Sequence, residues 1–473
     1  MPVLPNLPVC FAAREQALLG DRFEKLHSYA TPAPARGITV NALRCTPAAL
    51  AAQADFALAP SPFCPAAFVT AGDFRPGRHP YHHAGTFYAQ EPSASAPAAL
   101  LDVRPGMRVL DLCAAPGGKS SQLAAALAGQ GLLVANEYVA ARAEILRQNL
   151  ERMGVTNAVV LNEQVGRIAA ALPAFFDRVL VDAPCSGEGM FRKEAVALTQ
   201  HSEALVRRCA ALGADILEAA ASLLAPGGVL VYATCTFAPE EDEGQVAAFL
   251  ARHPEFTLCD LSGVGFGSPG EPNRAGVAGG WPPAARCRRI WPADGGEGHF
   301  MARLQKAGQR AASAPAALPA DKRAKGKGPK ADRPGKAAAA DAWVDFAENT
   351  FPFLANSTVL PLNDWLLLPP AAPLPPTRLH QLRAGVLAGQ VLKGRFQPAH
   401  ALFMAYGARC ANREELTLAD PRTAAWLRGE EIGAATAQSG WCAVLVDGYP
   451  LGGGKVSGGR IKNHYPKALR NLK

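Results

Sequence analysis

Between residues 108 and 233, five short apolar runs alternate with Ala- and Leu-rich segments of helical length, and this alternation constrains the fold more than any other feature. The runs cover 108–112, 132–136, 158–161, 178–181 and 229–233; the segments between them include 120–128, 140–153 and 203–224. Continuous apolar runs this short suit strands buried on both faces. Strands that alternate with helices predict right-handed crossovers and an open, doubly wound, mostly parallel α/β sheet. Pro226-Gly-Gly supplies the stop for the last helix. Such a sheet binds ligands beyond the carboxyl ends of its strands, so the residues that end each run carry the functional information.

Three ends are informative. The first run leads into the small-residue turn Asp111-Leu-Cys-Ala-Ala-Pro-Gly-Gly-Lys-Ser. The fourth leads into Asp182-Ala-Pro-Cys185 and the fifth into Thr234-Cys235. The turn is no P-loop, because Cys113 stands where the first glycine of that motif is required, and no G-x-G-x-x-G is present. A tight turn of small residues suits a nucleoside cofactor without phosphates, such as S-adenosylmethionine. Glu137 ends the second run, where a carboxylate accepts hydrogen bonds from ribose hydroxyls, and the third ends in Asn162-Glu163-Gln164, whose amides contact an adenine edge or belong to a simple loop.

A carboxylate with two thiols points to covalent catalysis, since a thiolate is the best protein nucleophile near neutral pH. Carbon 5 of a pyrimidine is not nucleophilic until a thiolate adds at C6. Methylation there therefore requires a cysteine, together with a group that stabilises charge near N3. On this reading Cys235 or Cys185 is the nucleophile, and Asp182, protonated or sharing a proton with the base in a dry cleft, supplies the group near N3. Cys209 and Cys259 read as incidental thiols.

The rest of the chain sets the context. At 473 residues it exceeds one ordinary domain. Residues 1–95 mix short helices (12–26, 47–57) with a strand over 37–44 and read as a small α/β module. The core spans 96–305, a basic Ala/Pro/Lys/Gly stretch over 306–340 reads as a disordered linker, and 341–473 returns to globular, β-rich composition. Of the formal charge of +8, the linker holds +7 and residues 455–473 hold +6, so the remainder is acidic. Basic segments of this kind favour a polyanion. Lys455, Arg460, Lys462 and Lys467 lie among glycines in a tail expected to order on binding RNA; Arg192 and Lys193 are candidates for phosphate contact, and Phe87 and Tyr88 for base stacking or core packing. The eleven cysteines lack paired or zinc-like spacing, which argues for free thiols in a reducing cytoplasm and against a metal. No signal peptide or membrane-spanning run is read.

These residues resemble the Nop/Sun family of RNA cytosine-5 methyltransferases, and more closely its bacterial RsmF-type 16S ribosomal RNA members. The resemblance runs through 111–120, Glu137, 176–193, 232–243, 394–401 and 452–466. It implies a Rossmann-like class I methyltransferase core, an N-terminal ferredoxin-like RNA-binding module and a C-terminal PUA-like region. It further implies that Cys235 is the nucleophile, that Cys185 assists release of the product, and that Asp182 contacts cytosine and cofactor. By the same resemblance Cys113, Ala114, Ala115, Pro116, Gly117, Gly118 and Lys119, with Glu137 and Gln164, hold S-adenosylmethionine. Many members carry an acidic residue near position 164; here Glu163 stands beside Gln164. DNA cytosine-5 methyltransferases place their nucleophile in the Pro-Cys motif and lack the second thiol, so the pair Cys185/Cys235 favours RNA. The expected substrate is 16S ribosomal RNA of the small subunit. Transfer RNA, or RNA binding in ribosome assembly without catalysis, are the alternatives.

Overall fold

In the computed structural model, which describes residues 7–23, 26, 34–309, 336–362 and 364–470, the first structured unit is a four-stranded antiparallel sheet. Its strands are β1 (Gly37–Val40), β2 (Leu58–Pro60), β3 (Ala67–Thr70) and β4 (Phe87–Gln90), in the order β2-β3-β1-β4. Helix Pro47–Gln53 connects β1 to β2 and the short helix Pro80–His83 precedes β4, a ferredoxin-like arrangement. Both the first helix (Val9–Leu19) and β1 are shorter than the sequence suggests. Phe87 and Tyr88 are buried, Phe87 completely, so the alternative of base stacking gives way to core packing.

The central sheet contains the five anticipated strands: β5 (Arg108–Asp111), β6 (Leu132–Asn136), β7 (Ala158–Leu161), β8 (Phe176–Asp182) and β9 (Leu224–Thr234). They run parallel in the order β7-β6-β5-β8-β9. The order reverses direction at β5, which lies between β6 and β8, and this is where a doubly wound sheet opens its crevice. Val109, Leu110, Leu133, Val134, Leu180 and Val231 are wholly buried, which is why the runs read as continuous apolar segments. Helix Glu203–Leu223 begins where Ser202 Oγ accepts a hydrogen bond from Leu205 N (3.2 Å). Beyond β9 the strand His299–Lys306 adds antiparallel, pairing Phe300 with Thr234.

Two β-rich units follow. A four-stranded antiparallel sheet includes Trp365–Leu368 and Val386–Leu392. A five-stranded PUA-like sheet includes Arg413–Leu416, Gly440–Val446, Tyr449–Ser457 and Arg460–Asn463. Within this part of the chain, Gln381–Ala384 joins the edge of the central sheet antiparallel to β7. The two ends of the chain share one core, in which Ile38 and Phe87 pack with Trp426, Val444 and Ile461. Tyr81 donates its hydroxyl to Asp447 Oδ2 (2.9 Å) and His83 Nδ1 lies 2.8 Å from Tyr465 Oη across the same junction.

Two expectations change. The linker reading of 306–340 lies mostly outside the described residues, and at its borders the chain is regular. Lys306 closes a strand and donates Nζ to Ala221 O and Leu224 O, while Lys336–Thr350 is a helix that buries Trp343 and Phe346. The alanine run favours helix, and the two aromatic rings give it a face to dock. The basic tail is packed as far as residue 470, with Val456 and Ile461 in the core and Arg460 paired with Glu431. Among the described residues no helix is long and apolar enough to cross a membrane.

Candidate active site

The parallel neighbours β5, β8 and β9 end together, and the loops beyond them wall a cavity of about 920 Å³. The loop after β5 is anchored below by Ser120 Oγ donating to Asp111 Oδ2 (2.6 Å) and at its side by Ala114 N donating to Asn136 O (2.8 Å). Asn136 also donates Nδ2 to Leu112 O and Glu163 O and accepts from Glu163 N, tying three strand ends together. Its place at a strand end is no sequence signal by itself. Gly118 is required by close approach: a Cβ there would stand 2.3 Å from Gln90 Oε1 and 3.1 Å from the Tyr88 ring.

Of the loop residues expected to hold a cofactor, Cys113, Ala115 and Lys119 line the cavity. Ala114 is buried behind them, Pro116 is exposed, and Gly117 and Gly118 face Leu146 and β4 respectively, so these four shape the turn. Glu137 and Gln164 both line the cavity. Glu137 Oε1 accepts from Val139 N (2.9 Å) and Oε2 lies 3.5 Å from Arg142 Nη1. Glu163, by contrast, is committed to the protein. Its Oε1 accepts from Gln164 N (3.0 Å) and Arg167 Nη1 (3.1 Å), and its Oε2 from His380 N (3.2 Å).

Asp182, Cys185 and Cys235 line the same cavity. The two Sγ atoms are 3.4 Å apart, and Cys235 N points at Cys185 Sγ, also at 3.4 Å. The hydrogen bond to Cys235, reinforced by burial, holds the Cys185 thiol well above its usual pKa. Cys113 is raised too, by burial and the surrounding carboxylates. Lys119 Nζ donates to Asp182 Oδ2 at 2.7 Å. Burial works against the ammonium, yet the Asp182 carboxylate outweighs it and raises the lysine. Asp182 therefore stands beside an ammonium, an ion pair that the sequence reading did not include.

The two cysteine loops are stitched to each other. Gly189 N donates to Cys235 O (2.9 Å), Ser186 Oγ lies 2.7 Å from Thr236 Oγ1, and Phe237 N donates to Glu188 Oε2 (3.2 Å). Glu188 also accepts from Arg14 Nη2 (2.6 Å) and faces His201 Nε2 (2.8 Å), bringing the first helix under the site. Burial would raise this carboxyl, but His201 and Arg14 hold it down at about 2. Below β9, Thr234 Oγ1 donates to Asp242 Oδ1 (2.5 Å), and Arg289 pairs with Asp242 (2.9 Å) and Glu243. Arg192, a candidate for phosphate contact, is instead held by Glu297 through Nε (2.9 Å) and Nη2 (3.0 Å). Lys193 is exposed. The sequence reading missed Glu188, Asn136 and His299, which act through partners distant in the chain.

Comparison with known proteins finds relatives over most of the chain. Residues 98–305 match the model of the 16S rRNA methyltransferase RsmB/F family, and 7–92 match the N-terminal domain of 16S rRNA methyltransferase RsmF. Residues 345–406 match the RsmF first C-terminal domain and 413–471 its PUA domain. The ribosomal RNA small subunit methyltransferase F of Klebsiella pneumoniae is 34% identical over 92% of this chain and 90% of its own length. That of Vibrio vulnificus is 32% identical over 92% and 91%. The crystal structure of a methyltransferase homologue from Pyrococcus horikoshii superposes with a TM-score of 0.56 and 30% identity, covering 63% of this chain and 94% of that one. NSun6 from the same organism, solved with SFG, shares the fold at a TM-score of 0.54 and 20% identity, over 65% and 100%. Sequence identity of 32–34% over 92% of the chain, with four family models that match its successive segments, makes the chain a member of the ribosomal RNA small subunit methyltransferase F family.

Proposed function

We propose that this protein transfers a methyl group from S-adenosylmethionine to carbon 5 of a cytosine in 16S ribosomal RNA of the small subunit, in the cytoplasm, with Cys235 as nucleophile. The observation that carries the reading is the pair of thiols 3.4 Å apart beside the Lys119–Asp182 ion pair, all on one cavity.

The donor set fits a nucleoside cofactor. A loop of small residues brings backbone to the cavity wall, and Glu137 ends the adjacent strand with lone pairs left for ribose hydroxyls. Gln164, not Glu163, presents an amide there for the adenine edge. When bound, S-adenosylmethionine supplies an electrophilic methyl group to the activated ring.

Cys185, held as a thiol, leaves Cys235 to add to C6 of the cytosine. Negative charge that develops on the ring near N3 is neutralised by a proton that Lys119 delivers through Asp182, whose carboxylate holds the ammonium in place. After C5 has taken the methyl group, its proton passes to water in the cavity, the C6–S bond breaks, and the Cys185 thiol, in contact with Cys235, stabilises the departing thiolate. The stitching of the two loops through Glu188, Ser186 and Gly189 fixes the thiols relative to each other, which supplies orientation.

The test uses wild type, Cys235→Ala and Cys185→Ala with labelled S-adenosylmethionine and 16S RNA, small subunits or transfer RNA. Wild type is expected to label the small-subunit RNA, Cys235→Ala to lose methylation and adduct, and Cys185→Ala to accumulate a protein–RNA adduct on denaturing gels. Methylation by Cys235→Ala would refute the nucleophile, and labelling confined to transfer RNA would refute the substrate.

A further inference from the structure

His299 begins the strand beyond β9. Because Phe300 pairs with Thr234 in an antiparallel ladder, the next position along places His299 opposite Cys235. Both side chains line the cavity. The backbone here has no slack: a Cβ on Gly298 would meet Phe237 Cζ at 2.4 Å and Gly189 Cα at 2.9 Å. The imidazole is therefore held by the same loops that hold the thiols.

Its tautomer follows from proton counting. His299 Nδ1 lies 2.8 Å from Ser93 Oγ, and Ser93 Oγ lies 2.5 Å from Glu91 Oε2. Burial pushes the Glu91 carboxyl up, yet both of its oxygens accept backbone N–H groups, Oε1 from Ser93 N (3.0 Å) and Glu297 N (3.2 Å) and Oε2 from Ala94 N (2.9 Å). A serine hydroxyl has one proton, and here it goes to the carboxylate. Ser93 Oγ is left to accept, so Nδ1 carries the hydrogen and Nε2 is a bare lone pair. Nε2 has no hydrogen-bond partner among the described residues. Burial, with the charges of Lys119 and Lys193, keeps the ring neutral by holding it well below its usual pKa. A ring so reluctant to take a proton is a poor base for C5 and a good fixed acceptor.

We propose that His299 Nε2 accepts a hydrogen bond from the 4-amino group of the target cytosine and so selects cytosine over uracil. The inference rests on the cytosine-5 reading above. Uracil presents an oxygen at the same position, and its lone pair would face the lone pair of Nε2 with no proton between them. A buried polar site left unpaired in this way discriminates more strongly than a change of shape does.

The experiment is a cycle between enzyme and substrate. Wild type, His299→Phe and Ser93→Ala are given 16S RNA carrying either cytosine or pyrimidin-2-one, which lacks the 4-amino group, ligated into the position that wild type methylates. Intrinsic reactivity of the two bases cancels when the cytosine-to-pyrimidin-2-one ratio of kcat/KM is compared between enzymes, as does any loss of folded protein. His299→Phe is expected to lower that ratio about 10-fold, the scale of one hydrogen bond made in a dry site. Ser93→Ala, which leaves the imidazole but removes what fixes its tautomer, moves the ratio the same way by less. If both variants keep the wild-type ratio the inference is overturned, even where their absolute rates fall. A wild type that forms no 5-methylcytosine overturns the function reading instead.

Discussion

Replacing Glu188 by Gln tests whether the first helix holds the catalytic loops by charge. The carboxylate is fully buried, meets Arg14 at 2.6 Å and His201 at 2.8 Å, and accepts from Phe237 N two residues past the nucleophile. Its pKa lies at about 2 in place of 4.5, and each tenfold change in proton affinity is worth about 1.4 kcal/mol, so the charged form contributes roughly 3 kcal/mol of stability at neutral pH. Glutamine keeps the shape and one acceptor but leaves Arg14 with Glu15 as its carboxylate partner. The loss is then expected to be about 3 kcal/mol, read as a lower urea midpoint at unchanged m-value. The folded-state pKa is depressed, so this contribution is complete above about pH 4.5 and disappears as pH falls through 2. The difference between wild type and Glu188→Gln should therefore be flat from pH 5 to 8 and shrink below 4.5. Methyl transfer should fall with it, because Phe237 and Cys235 share the loop. A variant within about 0.5 kcal/mol of wild type at pH 7 would refute the argument, as would a difference that grows on acidification.

Burial places the Asp111 carboxyl at about 7, opposite in sign to Glu188. The folded state then prefers the protonated form, and wild-type stability should decline from about pH 4 to 7 relative to Asp111→Asn, by up to ~4 kcal/mol in urea titrations. Gly118→Ala forces a methyl group into Gln90 and Tyr88, so the Gln90 side chain or the loop must shift. A cost of about 1–3 kcal/mol and at least tenfold weaker calorimetric binding of S-adenosylmethionine are expected. Tyr81→Phe removes the hydrogen bond to Asp447 across the junction of the two chain ends. Hydrogen exchange should accelerate in both β4 and the strand Gly440–Val446, by about fivefold for a loss of ~1 kcal/mol, while the central sheet is unchanged.

The central sheet was legible because its signals are local. A parallel strand buried on both faces must be continuously apolar, and Pro226-Gly-Gly stops a helix wherever it occurs. Errors came where a residue's role depends on a distant partner. Arg192 reads as a free cation until Glu297 arrives from another loop, and Asp182 stands alone in the sequence until Lys119 reaches it. The tail from Lys455 reads as RNA-ordered because its lysines and glycines are conspicuous, whereas Val456 and Ile461 decide its structure by filling a core shared with residues from the other end of the chain.

By itself the sequence determined the strand–helix alternation, the three strand ends that carry chemistry, and therefore the kind of reaction: spacing and residue type along the chain encode these. The separation of the thiols, the ion pair at Asp182, the place of Gln164 on the cavity and the contact of His299 with Ser93 were decided by tertiary structure alone. Each is a contact between segments far apart in the chain, and its energy depends on distances of a few ångströms that no local pattern specifies.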